Sequence, residues 1–244
     1  MKFKLLEIDN RNALFAFAFG EFILIVVGIL FALQIDNWNE NRRAKKSELH
    51  YLDALQEEFS DNLNSLYRVM QLNKRNTNFA FELSKYTGPL EPVLTENEVD
   101  SLILFTHAEV QYRPGSGVLD EIISSGKLEL LSKDQLRYEI ASLESEMQAV
   151  RFQEQEHSRI RYILLNMLND EGNTRRATER IDSEMFGLTP SKFESTNLRF
   201  LKSERFDNYL VAFYVTAKLL NDNYYPRLEN KIKSILALIE DELN

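Results

Sequence analysis

The chain contains no cysteine, which removes disulfides, thiolate metal sites and cysteine nucleophiles together, although a cysteine-free protein survives in either redox compartment. Glycine and proline are scarce too. Eight glycines and five prolines in 244 residues are roughly half or less of their usual ~7% and ~5% shares, so long uninterrupted helices are expected. The three histidines form no His-x-x-x-His pair and have no cysteine beside them to complete a zinc site. A basic excess is also missing, since the net charge of -9 argues against a general nucleic-acid binder, which needs a basic face for phosphates. What is there, 44% hydrophobic and 27% charged residues, is a globular balance that excludes collagen-like, low-complexity and wholly disordered chains.

A mean hydropathy of -0.34 looks soluble, but the average hides segregation. Ala13 to Leu33 is apolar throughout except for Glu21, and as a helix its 21 residues would span about 31 Å, the thickness of a bilayer core. A cleaved signal peptide would begin with similar basic residues, here Lys2, Lys4 and Arg11. Its apolar run is usually ~7–15 residues and ends in a small-x-small site, which this segment lacks, so a retained single-pass anchor is the better reading. A buried core helix seldom runs so long with apolar residues on every face. The segment 1–12 is then a short tail, 13–35 a transmembrane helix, and 36–244 an extramembrane helical bundle. Charge nearly balances across the run, with Arg42, Arg43, Lys45 and Lys46 on the far side, so the positive-inside rule does not orient it. Gln34, Asn37, Trp38 and Asn39 mark the membrane interface, where an aromatic belt residue belongs.

Beyond the membrane, glycine and proline act as punctuation between helices. From Trp38 to Thr87 there is neither, and Leu52, Leu55, Phe59, Leu63, Leu66 and Met70 form one apolar stripe on a helix that can continue directly from the membrane segment as a rigid rod. Thr95 and Glu98 have the spacing of a capping box, as do Ser132 and Gln135. Val118 to Ser125 reads as a short helix that Gly126 ends in a left-handed cap. The chain from Ser132 to Glu171 keeps a helical period apart from a very polar middle, Arg151 to Arg161, which reads as solvent-exposed or as a break. Gly172 to Thr196 looks like a connection with at most a short helix from Pro190, capped by Thr189. Leu210, Tyr214, Ala217, Tyr224 and Leu228, then Ile232, Ile235 and Ile239, place one more apolar stripe on a helix that Pro226 should kink or split near Asn221 to Tyr225. The best strand candidate, Lys127 to Leu131, is short. The predicted fold is all-α: one N-terminal transmembrane helix, then an antiparallel bundle of three or four long helices.

The run from Gly20 to Lys46, GEFILIVVGILFALQIDNWNENRRAKK, resembles the opening of a large family of uncharacterised single-pass membrane proteins of Gram-negative bacteria. The shared pattern is a Gly-Glu pair, an aliphatic run and a Gln-x-x-Asn-Trp-Asn-Glu exit, here Gln34, Asn37, Trp38, Asn39 and Glu40. Ile123 to Arg137 is similar to the same family's downstream pattern. The resemblance implies the bacterial inner membrane, a cytoplasmic N-terminus and a periplasmic bundle, and it supplies no activity. This chain's tail is less basic than those of typical members.

Glu21 is the residue of greatest interest, because a carboxylate in an apolar run must be neutral, paired or turned toward a polar interior. Glu21, Ile25, Gly28, Ala32 and Ile35 share a helix face, and Gly28-x-x-x-Ala32 is a small-x-x-x-small pair that permits close helix approach. Three readings stand: Glu21 snorkels to the nearer interface, it joins helices through a shared proton or hydrogen bond, or it lines an ion or proton path. Catalytic patterns mostly fail. Glu154-x-x-His157 has the spacing of a di-iron helix, but the second such pair is absent. Pro114 to Gly117, followed by a helix, could hold an anion on its N–H groups or be a simple turn. Ser125-Gly126-Lys127 lacks the hydroxyl residue that a phosphate loop needs after lysine. The expectation is a membrane-anchored, homo-oligomeric interaction or scaffold protein without catalytic activity, metal or cofactor. Its partners would be the lipid bilayer, other copies of itself and an unidentified membrane or periplasmic protein, with no nucleic acid. The alternative is an oligomeric ion- or proton-conducting protein with Glu21 lining the pore.

Overall fold

A computed structural model describes residues 10–179 and 187–244, with side chains from Phe17 onward except that of His107. Most of the expected tail, Lys2 and Lys4 included, lies outside the described residues. Among those described, the chain is helical and contains no strand. The long helices are α1 (Asn10–Ser84), α4 (Asp134–Glu171), α5 (Glu204–Leu219) and α6 (Tyr225–Leu243); α2 (Glu96–Ile103) and α3 (Gly117–Ser124) are short. The chain divides into two compact units, one up to Tyr51 and one comprising Leu52–Asn244.

The first unit holds the apolar part of α1, which is long and apolar enough to cross a membrane. None of the residues in its 18-residue window of mean hydropathy 2.3 is buried in the chain.

The second unit is a helical bundle in which α4 packs against both α5 and α6. The apolar stripe of α1 enters this core through Leu52, Leu55, Phe59 and Leu66, then continues as Asn73, Asn76 and Thr77 before Ala80 and Leu83 restore apolar contact. Ala80 and Leu83 meet Ile160, Leu164, Phe206, Leu210 and Phe213 in one cluster. Thr95 caps α2 as its spacing implies: the hydroxyl accepts from the Glu98 N–H, and Glu98 accepts from the Thr95 N–H at 2.7 Å. Gly126 takes a φ of 71°, the left-handed conformation expected after α3.

Four local expectations are corrected. The N-cap of α4 is Lys133 and makes no side-chain cap bond, while Gln135 reaches forward to Glu139 rather than back to a capping box. Lys127–Leu130, within the best strand candidate, forms a 3-10 turn, in line with the all-α expectation. No helix starts at Pro190; helical backbone occupies 174–179 instead, and Thr196 caps a 3-10 helix at Asn197–Lys202. The polar stretch Arg151 to Arg161 is unbroken and only partly exposed, because α4 runs through it, leaving Arg151, Gln155 and Arg159 exposed and burying Gln153, Glu154, His157 and Arg161. Finally, the residue that continues the α5 stripe is Tyr225, not Tyr224.

That last shift has a backbone cause. Leu220–Tyr224 forms a π turn, and the Tyr225 N–H reaches back five residues to the Leu220 carbonyl. Pro226, which has no N–H to give, falls in the first turn of α6, where none is needed. The extra residue of the π turn moves the buried positions from Phe213, Ala217 and Leu220 to Tyr225, Leu228, Ile232, Ile235 and Ile239. Asn73 stitches α1 to this junction: its Nδ2 donates to the Ala217 carbonyl at 2.9 Å and to Asn221 Oδ1 at 3.1 Å.

Candidate functional site

Glu21, Ile25, Gly28, Ala32 and Ile35 lie on α1, and all five are exposed. A Cβ added at Gly28 would meet nothing within 4 Å. At the interface positions Gln34, Asn37, Trp38 and Asn39 are exposed as well, and the Arg42 guanidinium stands 5.8 Å from the Trp38 ring.

The second unit contains a centre that polarity alone had hidden. Glu154 is 3% exposed on α4. Its Oε1 accepts two hydrogen bonds, from the Tyr112 backbone N–H at 2.9 Å and from the Tyr225 hydroxyl at 2.8 Å. Tyr112 lies in the extended segment after α2, and its own hydroxyl donates to the Asn62 carbonyl of α1 at 3.2 Å. One carboxylate oxygen therefore gathers α4, the π-turn junction and the 108–116 segment. Burial pushes the Glu154 carboxyl up to about 7; the Tyr112 N–H, the Tyr225 hydroxyl and the positive fields of Arg151 and Arg113 all oppose that rise. Burial, with the Glu154 charge, also holds both tyrosine hydroxyls well above their ordinary range, so they remain donors.

The same segment is clasped from the α1 side. Asn62 accepts from the Gly115 N–H and donates to the Gly115 carbonyl, both at 2.7 Å. Glu58 accepts from the N–H groups of Val118 and Leu119 in the first turn of α3, at 2.7 and 3.2 Å. The place where these N–H groups could hold an anion is thus filled by the chain's own Glu58, with the carboxylate placed where the helix dipole favours it. Two cavities flank the segment. One of about 340 Å³ is walled by Phe59, Leu119, Ile140, Leu143, Met147 and Ile232. The other, of about 460 Å³, is polar and is lined by Glu154, Arg113, Arg151, Gln155, Ser158 and Ser116 among others.

Glu154 and His157 share the spacing of a metal-binding helix but turn to different partners. The single proton of the Thr216 hydroxyl has the backbone carbonyls of Ala212 and Phe213 as acceptors, each at 3.0 Å; with the proton turned to either, the hydroxyl oxygen accepts from His157 Nδ1 across its 3.0 Å contact. His157 Nε2 is then a buried acceptor without a hydrogen bond. Burial, reinforced by the Arg161 charge, lowers this imidazole to about 4, which keeps it neutral. Arg161 donates to the Thr106 carbonyl at 2.9 Å and stacks 4.4 Å from the Tyr162 ring. Among the described residues no three His, Asp or Glu side chains gather as metal ligands.

A simple signal pointed to this centre. Met147, Val150, Glu154, His157, Arg161, Leu164 and Leu168 continue one stripe at spacings of three and four, so position on the helix, not side-chain polarity, decides burial here.

No curated protein and no solved structure matches the chain. A family model does match, over residues 21–154, which takes in the apolar segment of α1, α2, α3 and α4 as far as the buried carboxylate. The chain belongs to DUF6090, a family of unknown function.

Proposed function

We propose that the protein is a single-pass protein of the bacterial inner membrane, that residues 13–35 span the bilayer, and that residues 36–244 form an antiparallel bundle of three or four long helices that works by binding other proteins. The observation that carries this reading is the exposure of the apolar segment: of eighteen residues of mean hydropathy 2.3, none is buried within the chain. A core helix of that composition would be covered, and lipid is the solvent that such a surface suits. The N-terminus is cytoplasmic and the bundle periplasmic in this reading. A reporter fused after Asn244, active only on one side of the membrane, tests that orientation.

The span self-associates through Glu21, Ile25, Gly28, Ala32 and Ile35. Small residues at positions 28 and 32 let backbones approach, and the open space around Gly28 is room for a second helix. Cross-linking in native membranes should trap an oligomer that Gly28→Leu and Glu21→Ala both diminish. Monomers alone in wild type would sink the association. A second reading, an oligomeric pore with Glu21 as its charged ring, draws on the exposure of that carboxylate within the apolar run. Planar-bilayer recordings separate the two: a cation-selective current abolished by Glu21→Gln supports the pore, and silence supports the scaffold.

A further inference from the structure

We propose that the polar cavity beside Glu154 binds a small zwitterion of the α-amino acid class, its ammonium on Glu154 and its carboxylate on Arg151 and Arg113. This goes beyond the membrane reading and does not depend on it.

Glu154 is buried yet has no ion-pair partner among the described residues; the two groups that bind it, the Tyr112 N–H and the Tyr225 hydroxyl, are neutral donors. Both converge on Oε1. Oε2 is left without a hydrogen bond, and Glu154 lines the cavity. A buried carboxylate of this kind is costly unless it is paired, so an ammonium entering the cavity gains a charge-assisted partner. The two neighbouring arginines decide what kind of cation fits. A bare cation is repelled by Arg113 and Arg151, and a bare anion by Glu154. A molecule that carries both signs a few bonds apart satisfies the whole wall. Gln155, Ser158 and Ser116 add polar lining, and about 460 Å³ leaves room for a side chain beyond the shared backbone groups.

The arginines are available to swing. Arg113 is held by Gln111 Oε1 at 2.9 and 2.5 Å and by Glu109 at 3.7 Å, all in the same exposed segment, and it is 72% exposed. Arg151 gives Nη1 to Glu144 at 3.0 Å and is half exposed. The charged and titratable groups around Glu154 at this cavity are thus Arg151 on its own helix, Glu109, Tyr112 and Arg113 on the extended segment, and Tyr225 at the π-turn junction, with Glu109 already 3.7 Å from Arg113. His157, one turn along α4, points instead to Thr216.

Because the two donors occupy Oε1, a proton on Glu154 resides on Oε2, where the ammonium would sit. Binding therefore displaces that proton, and near pH 7 the cavity exchanges a proton for an ammonium.

Purified full-length chain in detergent is screened by thermal unfolding against the common L-amino acids, and the strongest is taken to titration calorimetry in two buffers of different ionisation enthalpy. The expected result is saturable stabilisation with net proton release at pH 7, at least about tenfold weaker binding in Arg151→Gln, and none in Glu154→Gln. The amide retains an acceptor for both tyrosine bonds, so that variant should fold. The N-acetylated form of the same amino acid, which lacks the ammonium, should bind at least about tenfold more weakly. No response to any amino acid, undiminished binding in a folded Glu154→Gln, or equal binding of the N-acetyl form would each overturn the proposal.

Discussion

The two units of this chain put similar side chains to opposite uses. In the first, Phe22, Leu24 and Phe31 are more than half exposed, whereas in the second Phe59, Phe206 and Phe213 are essentially covered. The polar residues invert in the same way, with Glu21 exposed among apolar neighbours and Glu154 buried among helices. Residue type therefore says little about environment here, and what separates the units is whether other helices complete the packing. Substitutions matched across the two are the direct way to press this contrast.

The largest effect is expected from a matched pair of phenylalanines. Phe213→Ala empties a position packed against Phe105 and His157, with ring centroids 4.6 and 4.4 Å away, and should cost about 3–5 kcal/mol in chemical denaturation of the second unit. Phe22→Ala should leave that transition where it was. Equal losses in both variants would erase the distinction between the units.

Next comes the pH response, which only the second unit should show. Glu154 holds its proton up to about pH 7 in the folded chain against 4.5 ordinarily, so its contribution falls as pH rises from 4.5 to about 7. His157 titrates near 4 instead of 6.5, so its contribution rises over that interval and is lost again as pH drops through it. The opposed slopes nearly cancel between pH 4.5 and 6.5. Glu154→Gln should uncover a gain of up to about 3 kcal/mol as pH rises from 4 to 6.5, and His157→Gln a loss of similar size as pH rises from 4.5 to 7. A flat denaturation profile in either variant would show that these groups are solvated.

A pair of glycines gives a smaller contrast. A Cβ at Gly172 would come within 2.7 Å of Asn197 Oδ1, 2.8 Å of the Leu168 carbonyl and 2.9 Å of the Phe200 ring, whereas one at Gly28 meets open space. Gly172→Ala should therefore cost about 1–3 kcal/mol. Gly28→Ala should leave the unfolding of the second unit unchanged, and a shift as large as that of Gly172→Ala would contradict the open surroundings of Gly28. The smallest change is Thr95→Ala, which removes the capping box of α2 and should lower stability by about 1 kcal/mol, read as an earlier denaturant midpoint.

Much of this architecture was legible because helices declare themselves by period. The apolar run, the stripe from Leu52 to Leu66, the Thr95 cap, the left-handed Gly126 and the break before Pro226 all follow from local rules. What was illegible depends on long-range partners. Arg151 to Arg161 looks exposed because its residues are polar, yet Glu154 is covered by groups 42 and 71 residues away in sequence. Asn62 and Glu58 likewise act only once the 113–119 segment arrives, and no spacing within α1 announces that. The π turn moved the buried tyrosine by one place because a period of 3.6 carries no mark for an inserted residue.

The two bonds to Glu154 also set an order of assembly. Tyr112 is synthesised before the carboxylate and Tyr225 long after it, so a nascent chain that has emerged only through α4 can offer Glu154 a single donor. The second arrives only with the start of α6, 71 residues after the carboxylate. Closure of this centre thus waits for α6, and a chain truncated before Tyr225 would carry an incompletely liganded acid in its interior, a built-in mark of an unfinished molecule.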